Sequence, residues 1–312
     1  MEECIAAVEE GFRLHADARD LPSGVLGIPA GSGGFHVKTA GLPLKRNYFA
    51  AKVNANFPGN AEHFGLPTIQ GVVLLFDAEN GFPLAVLDSI AITTRRTAAA
   101  TALAARHLAR QNARIVTICG CGAQAEAQLE ALRVVRPIEQ VYAFDLDRDR
   151  ALRFARDASG RLGLPVEAVE DLALALGRSD LCVTCTTSKR AFLKREDVRP
   201  GTFIAAVGAD NPEKQELEPA LFAAATVVVD LLEQAAALGD LHHALQANVL
   251  TREDVHAELA ELLAGRKVGR TSEEEITIFD STGTALQDVA AAAVVYEKAT
   301  QLGRGLAVQL GG

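Results

Sequence analysis

The feature that most constrains the fold is an alternation of short apolar strands and helices that begins near residue 113. A predicted strand in ARIVTICG is followed by a helix over 123–136, and a strand in VYAFDLD by a helix over 148–159. Further apolar runs follow in DLCVTCTT, GTFIAAVG and TVVVDL, mostly separated by helical segments. Uninterrupted apolar strands alternating with helices are typical of a parallel sheet covered on both faces. The pattern predicts a doubly wound α/β domain at residues 108–284.

The turn after the first of these strands has the spacing of a dinucleotide-binding loop. It contains Gly120-x-Gly122-x-x-Ala125 and leads into a helix. The first glycine permits a tight turn, the second lets the backbone approach a pyrophosphate, and the small third residue allows close packing. The N–H groups at the helix N-terminus would face the phosphates. The sequence therefore predicts a Rossmann domain.

The end of the next strand indicates which nucleotide is bound. Asp145 lies about 25 residues beyond the first glycine, where a carboxylate accepts hydrogen bonds from a ribose hydroxyl. Its charge would repel the 2′-phosphate of NADP, so we expect NAD as the cofactor. Arg148 and Arg150 nearby keep NADP as an alternative.

A thiol site is the competing interpretation of the glycine turn. Cys119 and Cys121 flank Gly120, but no histidine or further cysteine nearby completes a zinc site. Cys182 and Cys185 have CxxC spacing, but they lie in an apolar strand and not at a helix N-terminus. We therefore expect all five cysteines to be small core residues. Their odd number in a long acidic chain favours a reducing, cytoplasmic location.

Charge and hydropathy argue against two classes of partner. The net charge of −9 over 312 residues would be repelled by nucleic-acid phosphates. No apolar stretch approaches the roughly 20 residues that span a membrane. The N-terminal MEECIAAVEEGFRLHADARD predicts an amphipathic helix and not a secretory signal. Because the histidines lack metal-ligand spacing, no metal site is predicted.

The first third of the chain is β-rich. Strands are predicted in GGFHVKT, NYFAAKVNANF, TIQGVVLLFDA and PLAVLDSIAIT, and their direct connection favours antiparallel or mixed pairing. An alanine-rich helix is predicted over 93–111. The last helix, TALQDVAAAAVVYEKATQL, is apolar over much of its circumference, so we expect it to be buried, against this first part. A second, α+β domain is therefore placed at 1–107 plus 285–312.

Four residues at three places in the chain are candidates for chemistry. Lys52 lies inside an apolar strand, where burying a lysine costs free energy unless the residue has a charged partner or a catalytic role. Desolvation there would lower its pKa toward the catalytic range. The alternative interpretation is a lysine that faces outward from a half-exposed strand. Arg95 and Arg96 lie at the start of the alanine-rich helix, where the helix dipole disfavours positive charge. A bound anion or carboxylate therefore explains the two arginines better than the alternative, a solvated helix start. Asp210 follows the strand TFIAAVG at its carboxyl end, where doubly wound sheets bind ligands. The alternative interpretation is an aspartate that only forms a turn before a proline.

Seven stretches together resemble the ornithine cyclodeaminase/mu-crystallin family: YFAAKVNANFPGN, GLPT, GFPLAVLD, RRTAAATALAARHLAR, GCGAQA, GADNPEKQEL and EEITIFDSTGTALQDVAAAAVVYE. The branch that contains archaeal-type alanine dehydrogenase is the most similar. The resemblance implies a Rossmann domain and a substrate and dimerisation domain made from both chain ends, and therefore a homodimer. Compared with the family, part of the first helix and strand is expected to be absent, which leaves the first sheet without an edge strand.

The resemblance also implies roles for individual residues. Lys52 matches the catalytic lysine that contacts substrate and moves protons, and Asp210 the acid that faces the substrate amine or imine. Arg96 matches an arginine at the cofactor phosphates and the substrate. Where many members have an arginine for the substrate carboxylate, this chain has Lys38, which is a point charge and not a bidentate fork. The remaining predicted cofactor contacts are Thr97, Gly120, Gly122, Ala123, Gln124, Asp145, Asp147, Lys214 and Ser281.

The function so implied is an NAD(H)-dependent oxidoreductase that acts on the C–N bond of a small amino acid or imino acid. An alanine dehydrogenase or an imine reductase would fit. One alternative is an ornithine cyclodeaminase, a lyase that releases ammonia and recycles its NAD+ within each turnover. The other is a mu-crystallin-like protein that binds a nucleotide and a small acid without turnover. The presence of Lys52, Arg96 and Asp210 together favours an enzyme.

Overall fold

The structure, a computed structural model, describes residues 1–309, without the side chain of Ala61. The chain divides into two compact units, which are described separately. The first unit comprises Met1–Ile5 and Thr97–Thr284, and the second comprises Ala6–Arg96 and the chain from Ala285 onward. The predicted domain ranges, 1–107 plus 285–312 and 108–284, stay a prediction, and their last residues, 310–312, lie outside the described part.

The elements follow one another in this order. The helices are α1 (Glu2–Ala16), α2 (Asn60–Phe64), α3 (Ser89–Leu108), α4 (Ala125–Val135), α5 (Arg148–Leu162), α6 (Leu172–Leu176), α7 (Pro219–Ala223), α8 (Leu232–Leu238), α9 (Asp240–Gln246), α10 (Leu259–Leu263) and α11 (Ala285–Gln301). The first strands are β1 (Leu21–Ala30), β2 (Gly33–Pro43), β3 (Asn47–Asn56), β4 (Ile69–Asp77) and β5 (Pro83–Asp88). The later strands are β6 (Ile115–Cys119), β7 (Gln140–Phe144), β8 (Val166–Ala168), β9 (Leu181–Thr184), β10 (Lys189–Leu193), β11 (Phe203–Ala206), β12 (Gln215–Leu217), β13 (Ala225–Val229), β14 (Ala257–Glu258) and β15 (Ile276–Asp280).

In the first unit, eight strands form a parallel sheet in the order β14-β13-β15-β11-β9-β6-β7-β8. Strands β9, β11 and β15 consist entirely of buried residues, as expected for central parallel strands. The chain runs outward from β6 through β7 and β8, then returns to β9 on the other side of β6. This reversal creates a switch point between β6 and β9, where such sheets bind ligands.

In the second unit, β1 to β5 form an antiparallel sheet in chain order. Helix α11 packs on β2 and β3, and every residue from Ala285 to Ala293 is buried. This confirms that the last helix is buried against the β-rich part. Together the two sheets confirm the predicted class, a doubly wound α/β sheet plus a β-rich unit built from both chain ends.

Two local predictions differ from the structure. The segment LPSGVLGIPA was not predicted as a strand, yet it forms β1, at the sheet edge where its prolines are tolerated. The strand predicted in PLAVLDSIAIT ends at Asp88, whose Oδ1 accepts hydrogen bonds from the N–H groups of Ile90 and Ala91. This cap starts α3 at Ser89, earlier than the predicted residue 93.

Candidate active site

The glycine turn lies between β6 and α4, at the switch point of the parallel sheet. Gly120 has a φ of 95°, and a Cβ there would meet the carbonyl oxygen of Cys185 at 2.9 Å. Gly122 is exposed, and a Cβ there would meet nothing within 4 Å. Gly120 is therefore required for the turn itself, whereas Gly122 leaves open surface beside it. A pyrophosphate needs both properties.

The N-terminus of α4 follows this turn without a side-chain cap. Gln124 occupies the N-cap position, its side chain makes no cap hydrogen bond, and its Oε1 is buried without a hydrogen-bond partner. Ala123, just before it, is exposed. Uncapped N–H groups at a helix start favour an anion. The turn and the helix start therefore fit a bound dinucleotide.

Asp145, at the end of β7, ties the glycine turn to its neighbouring strand. Its Oδ2 accepts a hydrogen bond from the Cys121 N–H at 2.9 Å, and its Oδ1 accepts one from the Asp147 N–H at 2.9 Å. Each oxygen keeps a second lone pair for a ribose hydroxyl. Asp147 caps α5 by accepting a hydrogen bond from the Arg150 N–H at 3.1 Å.

The two arginines that keep NADP as an alternative both have carboxylates near them. Arg148 Nε lies 2.8 Å from Glu170 Oε1, and Arg150 Nε lies 3.9 Å from Asp147 Oδ2. A 2′-phosphate would have to compete with these carboxylates for the guanidinium groups. The local charge thus favours a free ribose hydroxyl over a phosphate.

Cysteines near the turn are poor candidates for thiol chemistry. Cys119, Cys121 and Cys182 are buried, whereas Cys4 and Cys185 are half-buried, so the expectation of five core cysteines holds for three. Burial raises the pKa of Cys121 to about 12 and that of Cys185 well above its usual value. Because the thiolate is the reactive form, these thiols are unreactive at neutral pH.

Glu216, which the sequence analysis gave no role, fixes the loops at the switch point. Its carboxylate accepts hydrogen bonds from Thr184 Oγ1 at 2.7 Å, from the Thr186 N–H at 2.6 Å and from the Gly208 N–H at 2.9 Å. A Cβ on Gly208 would lie 2.4 Å from this carboxylate, so the close approach requires glycine. Burial raises the pKa of Glu216, and the hydrogen bonds oppose this only in part.

Asp210 and Lys214 form a pair in the loop after β11. Lys214 Nζ lies 2.7 Å from Asp210 Oδ1 and donates a second hydrogen bond to the Gly208 carbonyl at 3.3 Å. The lysine side chain is largely buried, whereas half of the Asp210 side chain is exposed. Lys214 therefore holds the carboxylate of Asp210 at the carboxyl end of the sheet.

Ser281 lies in the loop after β15 and is buried. Its hydroxyl donates to Asp230 Oδ2 at 3.2 Å, and the Gly283 N–H donates to the same oxygen at 2.7 Å. Asp230 directly follows β13, so one carboxylate joins the ends of two adjacent strands.

Further buried carboxyl groups lie next to this loop. Burial and the charge of Glu216 raise the pKa of Asp240 to about 7. Burial and the charges of Asp240 and Asp230 raise the pKa of Asp280 well above its usual value. These groups form a buried acidic row, which we define as Glu216, Asp240, Asp280 and Asp230.

The second unit contains a buried charged cluster formed by Lys38, Lys52, Arg96 and Asp288. Lys38 on β2 and Lys52 on β3 are directly opposite each other in the ladder, and both are buried. Asp288 on α11 places Oδ2 2.6 Å from Lys52 Nζ and Oδ1 2.8 Å from Arg96 Nε. Gln287 Oε1 accepts a hydrogen bond from Arg96 Nη1 at 2.6 Å. Lys52 is therefore not an outward-facing residue.

The surroundings of Lys52 shift its proton equilibrium. Burial lowers the pKa of Lys52 to about 7; the charge of Asp288 opposes this, and the charges of Arg96 and Lys38 add to it. An amine with a pKa near neutrality can both accept and donate a proton. Of the two predicted arginines, Arg96 is buried in this cluster and Arg95 is exposed.

The predicted site residues fall into two groups. Lys38, Lys52 and Arg96 meet in the second unit. In the first unit, Thr97 is buried in α3, and the others lie at the carboxyl edge of the parallel sheet: Gly120, Gly122, Ala123, Gln124, Asp145, Asp147, Asp210, Lys214 and Ser281.

Gln287 and Asp288 were not predicted as site residues, although the sequence contains a signal for them. They are adjacent polar residues in a helix segment that is otherwise apolar and fully buried. A carboxylate in such a segment requires a cationic partner.

The parallel sheet with its glycine turn at the switch point defines a protein of the Rossmann class with an added antiparallel unit. The chain belongs to the ornithine cyclodeaminase/mu-crystallin family, whose sequence model matches residues 1–303. This confirms the family predicted from the motifs. The archaeal branch is confirmed as well, since alanine dehydrogenase of Archaeoglobus fulgidus is 43% identical over 300 residues, which are 96% of this chain and 91% of that protein.

Solved structures of relatives share the whole fold. An archaeal alanine dehydrogenase dimer with bound NAD has a TM-score of 0.94 and 41% identity, with 99% of this chain and 95% of that chain covered. The Δ1-pyrroline-2-carboxylate reductase of Thermococcus litoralis, in complex with NADH and L-proline, has a TM-score of 0.94 and 33% identity, with 99% and 96% covered.

Proposed function

We propose that the protein is an NAD(H)-dependent oxidoreductase that acts on the C–N bond of a small amino acid or imino acid. The observation that carries this proposal is the buried charged cluster in the second unit, in which Lys52 has a pKa near 7 beside Lys38 and Arg96. Three buried cations suit a substrate carboxylate, and a lysine that titrates near neutrality suits proton transfer at an amine. Relatives that act on such substrates support the same class.

The cofactor in this proposal is held by the first unit. Gly120, Gly122 and the start of α4 suit the pyrophosphate, and Asp145 suits the adenosine ribose. When bound, NAD(H) accepts or supplies the hydride at the substrate Cα. The paired state of Arg148 and Arg150 supports NAD over NADP.

Lys52 carries the proton chemistry. In the direction of amine oxidation the neutral lysine takes a proton from the substrate ammonium or from the attacking water; in the direction of imine reduction the protonated lysine returns it. Lys38 and Arg96 hold the carboxylate, which fixes the orientation of the Cα–H bond. The family resemblance assigns Asp210, which Lys214 holds in place, to the positive charge on an amine or imine nitrogen.

Turnover assays decide between reaction types. The purified protein is mixed with NAD+ and a panel of amino acids, and both NADH absorbance and ammonia release are followed. Accumulating NADH together with ammonia identifies a dehydrogenase, and ammonia without net NADH identifies a cyclodeaminase. NADH oxidation with cyclic imino acids identifies an imine reductase. If no substrate reacts although NADH binds, the protein is a mu-crystallin-like binder and the proposal fails.

We also propose that the protein is a cytoplasmic homodimer. Exposed large apolar side chains are concentrated on the antiparallel sheet, among them Leu26 and Ile28 on β1 and Val86 on β5. Exposed apolar side chains in such numbers are typical of a protein interface. The archaeal alanine dehydrogenase relative is a dimer. No helix within residues 1–309 is long and apolar enough to cross a membrane.

A further inference from the structure

Asp288 is the acidic centre of the buried charged cluster, and the proposed mechanism gives it no role. It lies on α11 with about 1% of its surface exposed, and its two oxygens contact Lys52 and Arg96. Both contacts are close ion pairs. One carboxylate therefore joins two cations that come from different elements, β3 and α3.

The sheet register makes such a carboxylate necessary. Lys38 and Lys52 are cross-strand partners in an antiparallel ladder. Like charges directly opposite each other are destabilising, and burial increases the cost. The charged groups that face Lys52 are Lys38 from β2, Arg96 from α3 and Asp288 from α11, and Asp288 is the acidic one.

We propose that Asp288 is a positioning residue: its carboxylate anchors Lys52 and Arg96 together and keeps the buried lysine able to hold its proton. The catalytic meaning of this step rests on the proposed function, whereas the electrostatic coupling does not. Without Asp288, the lysine would face two cations in a buried site and would be neutral at physiological pH. The proton needed for imine reduction would then be missing.

The electrostatics of Asp288 itself agree with this role. Burial alone raises the pKa of Asp288, but the charges of Arg96, Lys52 and Lys38 outweigh it, so that its pKa lies below the usual value. The carboxylate is therefore ionised when the site is in use, and it acts as a fixed negative charge. A residue that only docked α11 on the sheet would not need to face Lys52.

The test measures the proton equilibrium of Lys52 directly, without an assay of activity. Lysine labelled with 13C at Cε gives one signal for each of the eight lysines in the sequence, and Lys52→Met identifies the Lys52 signal by its loss. In Asp288→Asn the pKa of Lys52 is expected to fall by about 1–3 units, because an opposite charge in contact is removed. Asp288→Glu keeps the negative charge, so the pKa of Lys52 in this variant is expected to lie close to its wild-type value.

Asp77→Asn is the matched control. Asp77 is a buried carboxylate of the same unit that pairs with Arg46, away from Lys52. Its removal is expected to leave the Lys52 titration unchanged. If Asp288→Asn does not fold, the comparison is made in a Lys38→Met background, where the repulsion across β2 and β3 is absent. An unchanged Lys52 titration in folded Asp288→Asn, in either background, overturns the proposal.

The pH profile separates this inference from the proposed function. In the wild-type enzyme, kcat/KM for imine reduction should fall as pH rises through the Lys52 pKa, and in Asp288→Asn this fall should move to lower pH by the amount seen in the NMR titration. A shifted titration in a protein without turnover would overturn the proposed function and leave the coupling standing. A shifted titration with an unshifted pH profile would overturn the catalytic part of the inference.

Discussion

Lys52 is the residue on which the proposed chemistry depends most. Lys52→Ala removes the amine that we propose to exchange protons with the substrate, and positioned proton transfer accounts for about 10²–10⁴-fold in rate. Turnover is expected to fall by that factor, while NADH affinity, measured by fluorescence titration, is expected to persist because the glycine turn and Asp145 belong to the other unit.

Lys45 provides the control for this substitution. It belongs to the same unit, and its side chain is 89% exposed. Lys45→Ala should leave kcat within a small factor of the wild type and the stability within about 0.5 kcal/mol. Near-normal turnover of Lys52→Ala would remove Lys52 from the mechanism, and with it most of the case for amino-acid redox chemistry.

A second residue-scale prediction concerns Asp145 and the choice of nucleotide. In Asp145→Ser the charge that repels a 2′-phosphate is lost, so the preference for NADH over NADPH is expected to narrow. Titration of both reduced cofactors with the wild type and the variant measures this. Because Asp145 also accepts a hydrogen bond from the Cys121 N–H, affinity for both cofactors should weaken somewhat. Tighter binding of NADPH by the wild type would contradict the assignment.

Lys52 and Arg96 were predicted from the sequence and Asp288 was not, and the difference has a physical reason. A lysine inside an apolar strand and an arginine at a helix start are visible in their own local pattern. The role of Asp288 depends on α11 lying across β2 and β3, and that contact joins residues far apart in the chain. A single carboxylate in a buried helix indicates that a cationic partner exists. It does not indicate which residue that partner is.

At the scale of elements, capping and edge effects explain what the sequence did not predict. Strand β1 has prolines and glycines and mostly exposed side chains, so neither propensity nor alternation indicates a strand; it forms because β2 supplies its hydrogen-bonding partners. The glycine turn, in contrast, was predictable from its local sequence, since Gly120 adopts a positive φ in a crowded turn and Gly122 leaves open surface beside it.

The buried acidic row gives a prediction about stability and pH. The pKa of Asp240 is raised from its usual 3.8 to about 7, so the folded state binds more protons than the unfolded state between these values. Stability should therefore decrease as pH rises from about 4 to about 7 and then level off with respect to this group. Thermal unfolding between pH 4.5 and 7 measures the slope.

Asp240→Asn is the variant that isolates this effect. Oδ1 of Asp240 accepts hydrogen bonds from the N–H groups of Glu216 and Leu217, and an asparagine can keep that oxygen in place. The variant should show a shallower slope and a relative gain in stability at pH 7. Asp157→Asn, at an exposed position of α5, should leave the slope unchanged. A wild-type stability that rises over the whole range would contradict the prediction.

At the scale of the whole molecule, the fold class was predictable because strand and helix periodicity differ so clearly. The strands of the parallel sheet are short, apolar and regularly interrupted by helices, and these properties are independent of tertiary detail. The strand order was not predicted, because the placement of β15 beside β11, followed by β13 and β14 toward the sheet edge, depends on crossovers that no local pattern encodes.

The last prediction concerns the assembly. Light scattering at micromolar concentration should give twice the chain mass of 33.0 kDa. Leu26 on β1 is 55% exposed, and Leu26→Glu places a charge on this apolar surface. The substitution should shift the protein toward the monomer. Val268→Glu, at a 68% exposed apolar residue of the other unit, should leave the dimer intact. A wild-type monomer would exclude the dimer, and a dimer unaffected by Leu26→Glu would exclude β1 from its interface, so the two measurements test the assembly and its location separately.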